Sequence, residues 1–195
     1  KEFYPQIRIE IAGIDTYGDK DKITPISDIE GSDFFTQEIE AALLRGEIDF
    51  AVHSAKDLPD EIPDGLYIAA ITKSIDSSDA LISKNNLKIN KLRYGAKVGA
   101  SSQRRKEQLR KYRDDFQLVD IRGNIEERIA RLEDGKIDAI IVASCALMRL
   151  GLEMKITQRI PLNILTPHPL QGALAVEVRK DSEGLRNILE ALNGR

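Results

Sequence analysis

A strand, a turn and a helix recur three times in the middle of this chain, and no other feature limits the fold as strongly. Apolar runs of strand length begin near residues 97, 116 and 137, and each leads into a segment with helical spacing. Strands that alternate with helices in this way indicate a parallel sheet with helices on its faces. The sequence therefore predicts the α/β fold class.

Polar residues follow an apolar run abruptly at residues 50–57. Residues 50–52 have strand length, Lys56 and Asp57 come soon after, and Pro59 prevents a smooth helical continuation. The charged pair is therefore expected at the carboxyl end of a strand, which is where ligands bind in open α/β sheets. Two such neighbours are not easily buried together unless something pairs them, so a ligand or a partner charge is implied. The alternative is an ordinary solvated loop.

Two segments suit connections between two lobes. Residues 72–78 are short and polar, which is typical of a crossover between lobes. Pro167 and Pro169 require an extended segment later in the chain, which we expect to return it to the first lobe. Two crossovers imply a discontinuous first domain. We expect residues 1–74 and 172–195 to form domain 1 and residues 75–171 to form domain 2.

The remaining elements follow from local patterns. Residues 6–13 alternate apolar and polar side chains, which predicts a strand. Residues 15–33 are rich in Gly, Asp and Ser, and a long mobile loop is expected there. Helical spacing over residues 34–46 ends at Gly46, a residue type that often stops helices. Further strands are predicted at residues 66–71, 79–83 and 173–178, and a terminal helix at residues 182–192.

Composition excludes several classes of protein. With 195 residues, 42% of them hydrophobic, the chain can bury a core, yet its apolar runs are far too short to cross a bilayer. No signal segment opens the sequence, so we expect a cytoplasmic protein with no membrane partner. Cys145 is the single cysteine, and with two histidines it leaves too few ligands for a zinc site, so no metal is expected. A net charge of -3 argues against a general binder of polyanions.

Arginines and two serines gather near the predicted junctions between strands and helices. Ser101 and Ser102 are placed to cap a helix, and a strand end that feeds a helix N-terminus can bind an anion. Guanidinium groups bind carboxylates and phosphates through paired hydrogen bonds, so a ligand with several such groups is expected. The candidate site, with Asp57 as its acid, contains Lys56, Ser101, Ser102, Arg104, Arg105, Arg122, Arg128 and Arg149. The alternative is that each arginine caps or solvates its own helix.

The helix predicted after Ser102 begins with two arginines. Positive charge in a first turn opposes the helix dipole, so a negative group is expected to compensate Arg104 and Arg105. The basic stretch 104–113 also contains Glu107 and is followed at once by two aspartates. This pattern is typical of a mixed-charge helix rather than a surface that follows phosphates, so no nucleic-acid partner is expected.

Five short motifs, taken together, resemble the porphobilinogen deaminase family. They are HSAKDLP at 53–59, GASSQRR at 99–105, IRGN at 121–124 with Arg128, LMRLGL at 147–152 and QGA at 171–173. They run in the family's order over nearly the whole chain. The resemblance implies two lobes like those of type II periplasmic binding proteins. It also implies a transferase of tetrapyrrole biosynthesis that joins four porphobilinogen units head to tail into hydroxymethylbilane, with release of ammonia at each step.

The resemblance further implies roles for the matched residues. Asp57 matches the catalytic aspartate, which hydrogen-bonds pyrrole N–H groups and stabilises the cationic azafulvene left when ammonia departs. The matched arginines, which hold acetate and propionate side chains, are Arg104, Arg105, Arg122, Arg128 and Arg149. Lys56, Ser101 and Ser102 match positions that contact the cofactor, a dipyrromethane carried on a cysteine. Porphobilinogen is the implied small-molecule partner, and a monomer is expected.

The chain also departs from the family pattern. Tyr17 stands where the family usually has an arginine, and residues 30–35 stand where a Gly-rich loop with a lysine is usual. The resemblance implies that a strand and a helix of the family precede the residue matching Lys1, and that its third domain, with the cofactor cysteine, begins about where this chain ends. Cys145 does not match that cysteine and is expected to be a buried structural thiol.

Two readings of function therefore stay open at this point. In the first, the chain represents the first two domains of a porphobilinogen deaminase, and alone it need not be active because it lacks the covalent anchor. In the second, it is a non-catalytic two-lobed binder of tetrapyrrole precursors or other small polycarboxylates.

Overall fold

Two β-sheets carry the architecture of this protein. The structure is a computed structural model, and it describes residue 4, residues 6–21 and residues 34–194. The strands within these residues are β1 (Phe50–Ser54), β2 (Leu66–Ile71), β3 (Asp79–Ser83), β4 (Lys97–Gly99), β5 (Gln117–Val119), β6 (Ala139–Ala143), β7 (Gln158–Arg159) and β8 (Leu174–Arg179). The helices are α1 (Tyr17–Lys20), α2 (Gln37–Leu44), α3 (Gln103–Tyr112), α4 (Ile125–Glu133), α5 (Ser144–Arg149) and α6 (Glu183–Leu189).

The first sheet has the strand order β1-β8-β2, and both of its pairs are antiparallel. Val176 and Val178 of β8 pack on one face with Leu189 of α6. On the other face, Ala51 of β1 packs with Leu43 of α2. Helices therefore cover both faces of this sheet, which explains why the interior of its central strand is buried.

The second sheet has the strand order β5-β4-β6-β3-β7. β4 runs parallel to β5 and β6, whereas β3 runs antiparallel to β6 and β7. Leu81 packs with Leu109 of α3 on one face, and Ile82 packs with Ile129 of α4 on the other. Because both faces are covered, all five residues of β6 are buried, which accounts for its continuous apolar sequence.

The predicted parallel arrangement is confirmed for the three strands that carried it, which begin near residues 97, 116 and 137 and are β4, β5 and β6. β4, β5 and β6 are joined in sequence by α3 and α4, and helical crossovers of this kind make neighbouring strands parallel. The first sheet is antiparallel, and β3 and β7 add antiparallel pairs to the second. A local strand-helix pattern reports only on the strands that it connects, so it held no information on the pairing of strands recruited from elsewhere in the chain.

The N-terminal predictions are wrong where the structure describes them. Residues 7–16 form no strand, and Ile11 is 96% exposed. Alternation describes side chains only, and a strand also needs a partner for its backbone groups, which these residues do not find among the described ones. The predicted loop over 15–33 instead contains α1, which begins with a capping box between Thr16 and Asp19. Residues 22–33 of that loop lie outside the described residues.

The other helix and strand predictions are confirmed within a few residues. α2 ends before Gly46, whose φ is +72° and whose N–H donates to the Leu43 carbonyl. α3 begins after Ser102, and the terminal helix is α6, followed by a short 3-10 turn, Glu190–Leu192. The sequence patterns did not predict β7, which has only two residues.

The two sheets draw on different parts of the chain. β1 and β2 precede the second sheet in sequence, and β8 follows it. The domain boundaries at residues 74 and 172 stay a prediction, in which each sheet is the centre of one domain. Of the helices described, none combines the length and the apolar character needed for a membrane crossing.

Candidate active site

Lys56 and Asp57 lie directly after β1, in the 3-10 turn Ala55–Asp57. The N–H of Ala55 donates to the carbonyl of Ala173 at 3.1 Å, so the end of β1 is attached to the segment that leads into β8. Asp57 is exposed, and Lys56 is partly buried. The structure therefore presents the Asp57 carboxylate to solvent at the end of the strand, as the sequence predicts.

A buried polar pair lies beneath this turn. His53 Nε2 and Glu177 Oε2 are 3.1 Å apart, and both side chains are almost fully buried. The second oxygen of Glu177, Oε1, has no hydrogen-bond partner among the described residues. Glu177 was not predicted from the sequence, although a glutamate in the apolar run of β8 is a signal of a buried partner.

The two serines occupy the junction between β4 and α3. Ser102 is the N-cap of α3, and its hydroxyl accepts a hydrogen bond from the Arg105 N–H at 3.2 Å. Ser101 is buried, and its hydroxyl donates to the carbonyl of Ile121 at 2.6 Å. The predicted helix cap is thus confirmed. Ser101 also ties this junction to the next one along the chain.

The two arginines at the start of α3 have different surroundings. Arg105 is buried, and its Nη2 donates to Asp79 Oδ1 at 2.6 Å and to Gln171 Oε1 at 3.2 Å. Asp79 is therefore the negative partner expected for this helix start. Arg104 is exposed, and its Nη1 donates to the carbonyl of Pro167 at 3.3 Å.

Arg122 and Arg128 flank the turn between β5 and α4. Arg122 is buried, and its Nη2 donates to the carbonyls of Gly18 and Asp21 at 3.2 and 2.6 Å. Its Nε is also buried and has no hydrogen-bond partner in the part of the chain described. Arg128 Nε donates to the Gly123 carbonyl at 2.8 Å. Arg122 thus retains one donor for which the described residues supply no acceptor.

A cavity of about 460 Å³ lies beside these two arginines. Lys20 and Phe35 are among the other residues that line it. The Phe35 ring centroid lies 5.8 Å from the Arg122 guanidinium carbon. The cavity therefore combines an aromatic face with three cations and three carboxylates, those of Asp15, Asp19 and Glu127. Asp19 and Glu127 already accept hydrogen bonds in the capping boxes of α1 and α4. The aromatic face beside the two guanidinium groups suits a flat ligand that carries carboxylates.

Electrostatic effects show which charged groups share one space. Burial lowers the pKa of Arg128 to about 10, and the positive charges of Arg105 and Arg122 act in the same direction, while Asp57 opposes them. Burial also lowers the pKa of Lys56, where Asp57 opposes the shift and Arg105 adds to it. Lys56, Asp57, Arg105, Arg122 and Arg128 therefore form one charged cluster. Arg128 stays protonated at neutral pH.

Arg149, a predicted site residue, and His168, which was not predicted, lie near the return crossover. Arg149 is exposed, and its Nη2 donates to the Gly172 carbonyl at 2.7 Å. The pKa of His168 is lowered by burial and by the positive charges of Arg104 and Lys56. Arg149 is thus bonded to the connection between the sheets, whereas His168 faces the cluster.

Two side chains that touch Arg105 were not predicted as site residues. Asp79 is the first residue of β3, and Gln171 belongs to the return crossover; each is 2% exposed. The signal for Asp79 was the position of its charge, at the start of the apolar run 79–83.

Cys145 is a free and buried thiol. In the described ranges no group of three histidine, cysteine or acidic side chains could hold a metal ion.

Comparison with known proteins agrees with this geometry. A sequence model described as "Porphobilinogen deaminase, dipyromethane cofactor binding domain" matches residues 1–187. The chain belongs to the porphobilinogen deaminase family. The porphobilinogen deaminase of Natranaerobius thermophilus is 46% identical over 194 residues, which cover 99% of this chain and 62% of that relative. The porphobilinogen deaminase of Geobacter sulfurreducens is 44% identical over 190 residues, covering 97% of this chain and 59% of that relative. The chain thus spans about three fifths of these curated relatives.

Solved structures support the fold. A periplasmic substrate-binding protein of an ABC transporter from Coxiella burnetii has a TM-score of 0.53 and 16% identity, covering 81% of this chain and 76% of its own. A lipoprotein from Bacillus subtilis has a TM-score of 0.51 and 14% identity, covering 78% and 73%. At these identities the likeness concerns the fold alone. It confirms the predicted α/β fold with two lobes of the periplasmic binding-protein kind.

Proposed function

We propose that the protein carrying this chain is a porphobilinogen deaminase, a transferase that joins four porphobilinogen units into hydroxymethylbilane and releases ammonia. The observation that carries the proposal is the exposed Asp57 carboxylate within a cluster of buried and partly buried cations. Membership of the family supports it, as does the resemblance at HSAKDLP. A cytoplasmic location and a monomeric state stay predictions from the sequence.

Asp57 is the proposed catalytic residue. Departure of ammonia from porphobilinogen leaves a cationic azafulvene, with positive charge shared between the pyrrole nitrogen and the methylene carbon. A carboxylate accepts a hydrogen bond from the pyrrole N–H and opposes the charge as it develops. The partly buried cluster beside Asp57 excludes some water, which strengthens this interaction relative to bulk solvent.

The cations around Asp57 are proposed to bind the acetate and propionate groups of the pyrroles. Arg104 is exposed and can reach a ligand directly, whereas Arg122 and Arg128 line the cavity. Guanidinium groups keep their charge and bind carboxylates through two parallel hydrogen bonds. Arg149 is also proposed to bind such a carboxylate, close to the return crossover, where its guanidinium already donates to the Gly172 carbonyl.

The same residues fit the dipyrromethane cofactor of the family. Arg122 Nε is a buried donor that no described acceptor satisfies, and the cavity beside it has room for pyrrole rings. Lys56, Ser101 and Ser102 are the other proposed contacts. When bound, dipyrromethane supplies the pyrrole to which new units are attached. Cys145 is not proposed as its attachment point because the thiol is buried in α5.

The proposal is tested on the protein expressed from its complete reading frame. Porphobilinogen consumption and ammonia release are measured for the wild type, Asp57→Asn and Asp60→Asn. We expect Asp57→Asn to lose turnover by at least about 100-fold, since an amide cannot oppose the developing charge. Asp60→Asn removes an exposed carboxylate from the same loop and is expected to turn over normally.

Two outcomes would count against this function. Normal turnover by a correctly folded Asp57→Asn variant would remove Asp57 from catalysis. A wild-type protein that binds porphobilinogen in a calorimeter but consumes none would favour the non-catalytic binder of tetrapyrrole precursors.

A further inference from the structure

Gln171 lies where the two crossover segments meet the start of α3. Its Nε2 donates to the carbonyls of Ser77 and Ser78 at 2.8 and 3.2 Å, and to Asp79 Oδ1 at 2.9 Å. Its Oε1 accepts a hydrogen bond from Arg105 Nη2 at 3.2 Å. Both polar groups of this buried amide therefore make hydrogen bonds. The NH2 group bonds to the first crossover and to Asp79, and the oxygen bonds to Arg105 in the charged cluster.

Gln171, Asp79 and Arg105 form a closed triangle. Arg105 Nη2 donates to Asp79 as well as to Gln171, and Gln171 donates to Asp79, so each side chain touches both others. All three are less than 10% exposed. They come from α3, β3 and the return crossover, so the triangle joins three separate segments. A buried arginine in such a setting has little freedom to change its orientation.

The backbone around Gln171 is held as tightly as its side chain. Ser74 Oγ donates to the Gln171 carbonyl at 2.7 Å, and the Ile75 N–H donates to the Gly172 carbonyl at 3.3 Å. The two crossovers thus run side by side at this point. Gln171 cannot shift without moving the first crossover too.

We propose that Gln171 and Asp79 are positioning residues for Arg105, and that they hold its Nη2 edge so that its other N–H groups face the ligand carboxylates. The inference rests on the proposed function, because it gives Arg105 its place in binding the substrate. Arg105 lies close enough to Lys56 and Arg128 to lower the pKa of both. Asp79 neutralises its charge, so Arg105 acts as a directed donor, while Arg128 and Lys56 supply the net positive charge.

The test separates positioning from a merely structural role. Gln171→Met keeps the side-chain length and removes both polar ends. In the protein expressed from its complete reading frame we expect KM for porphobilinogen to rise about tenfold, with kcat changed by less than about twofold, because a hydrogen bond to a charged group is lost. Gln158→Met is the matched control, since it makes the same replacement and removes a hydrogen bond with the Ile89 N–H that involves neither Arg105 nor Gln171. It is expected to lower the melting temperature and leave KM unchanged.

A double-mutant cycle with Arg105→Lys identifies the residue through which Gln171 acts. The Arg105→Lys variant has no guanidinium fork at position 105 for Gln171 to orient. Adding Gln171→Met to that variant should therefore raise KM by less than about twofold. A further tenfold rise would overturn the proposal, as would a Gln158→Met variant with the same KM as Gln171→Met. If Gln171→Met does not fold, Asp79→Asn replaces it in the cycle, with a rise in KM expected alone and none beside Arg105→Lys.

The two proposals fail in distinguishable ways. A wild-type protein that turns over porphobilinogen, together with a Gln171→Met variant of unchanged KM, would overturn only the role of Gln171. A wild-type protein without turnover would overturn both.

Discussion

Lys56 and Asp57 are neighbours in sequence with different surroundings. Burial lowers the pKa of Lys56 from its ordinary value of 10.5, and the nearby Arg105 guanidinium lowers it further, while Asp57 and Asp79 oppose the shift. The folded protein therefore releases this proton at a lower pH than the unfolded chain does. Between those two pKa values the unfolded chain binds more protons, so the contribution of Lys56 to stability rises with pH.

At the residue scale we predict an alkaline limit to substrate binding that Lys56 sets. As pH rises toward 10.5 in the wild type, Lys56 loses its proton and KM for porphobilinogen should increase. Lys56→Arg keeps its charge over this range, so its increase in KM should begin at higher pH. KM measured from pH 7.5 to 9.5, below the pKa of about 10 that burial gives Arg128, checks this, with the exposed Lys91→Arg as control. Identical alkaline profiles for wild type and Lys56→Arg would contradict the prediction.

At the scale of elements, the start of α4 determines where two of the cavity arginines lie. Asn124 Oδ1 accepts from the Glu127 N–H, and Glu127 Oε2 accepts from the Asn124 N–H, both at 2.9 Å. The preceding Gly123 has φ +97°, and a Cβ there would overlap the Glu127 carboxylate. This capping box therefore fixes the turn between Arg122 and Arg128.

We predict that Asn124→Ala destabilises the protein by about 1–2 kcal/mol, because the Glu127 N–H at the start of α4 loses its side-chain acceptor and the capping box is left with one of its two hydrogen bonds. Ser182→Ala is the matched control, since Ser182 precedes α6 without a side-chain cap hydrogen bond. Its effect should stay below about 0.5 kcal/mol. Urea denaturation of both variants gives the two free energies of unfolding. Equal losses would show that the capping box contributes nothing.

At the scale of the whole molecule, the two crossovers hold the sheets together at one close contact. Gly172 has φ +89°, and a Cβ there would overlap Ser74 Oγ and lie 2.6 Å from the Asp76 carbonyl oxygen. The Thr72 N–H also donates to the Leu174 carbonyl at 2.9 Å. Only a residue without a side chain lets the segments approach this closely.

Gly172→Ala is therefore expected to destabilise the protein by about 2–4 kcal/mol, through backbone strain and overpacking against main chain. Gly184→Ala is the control, because nothing lies within 4 Å of a Cβ at that helical position. It should stabilise the protein by about 0.5–1 kcal/mol, since alanine favours helix more than glycine does. Thermal unfolding measures both, and a Gly172→Ala variant as stable as wild type would show that the crossovers can separate freely.

Part of the site could be predicted because it depends on local geometry. Lys56 and Asp57 follow a strand, and Ser102 precedes a helix, so their positions at element ends follow from the pattern around them. The acceptors of Arg122 could not be predicted, since they are backbone carbonyls at Gly18 and Asp21 and carry no residue-type signal.

The sequence by itself determined most helices and strands, the cap of α3, the end of α2 and the family, because these depend on residues close together in the chain or on short motifs. Only the tertiary structure decided that β3 and β8 each run antiparallel to their neighbours in separate sheets, that a triangle forms around Arg105 and that Glu177 is buried against His53. Gln171 is 66 residues from Arg105, and Glu177 is 124 residues from His53. Such partners meet only after the sheets have assembled, and no local pattern records which distant groups a buried charge will find.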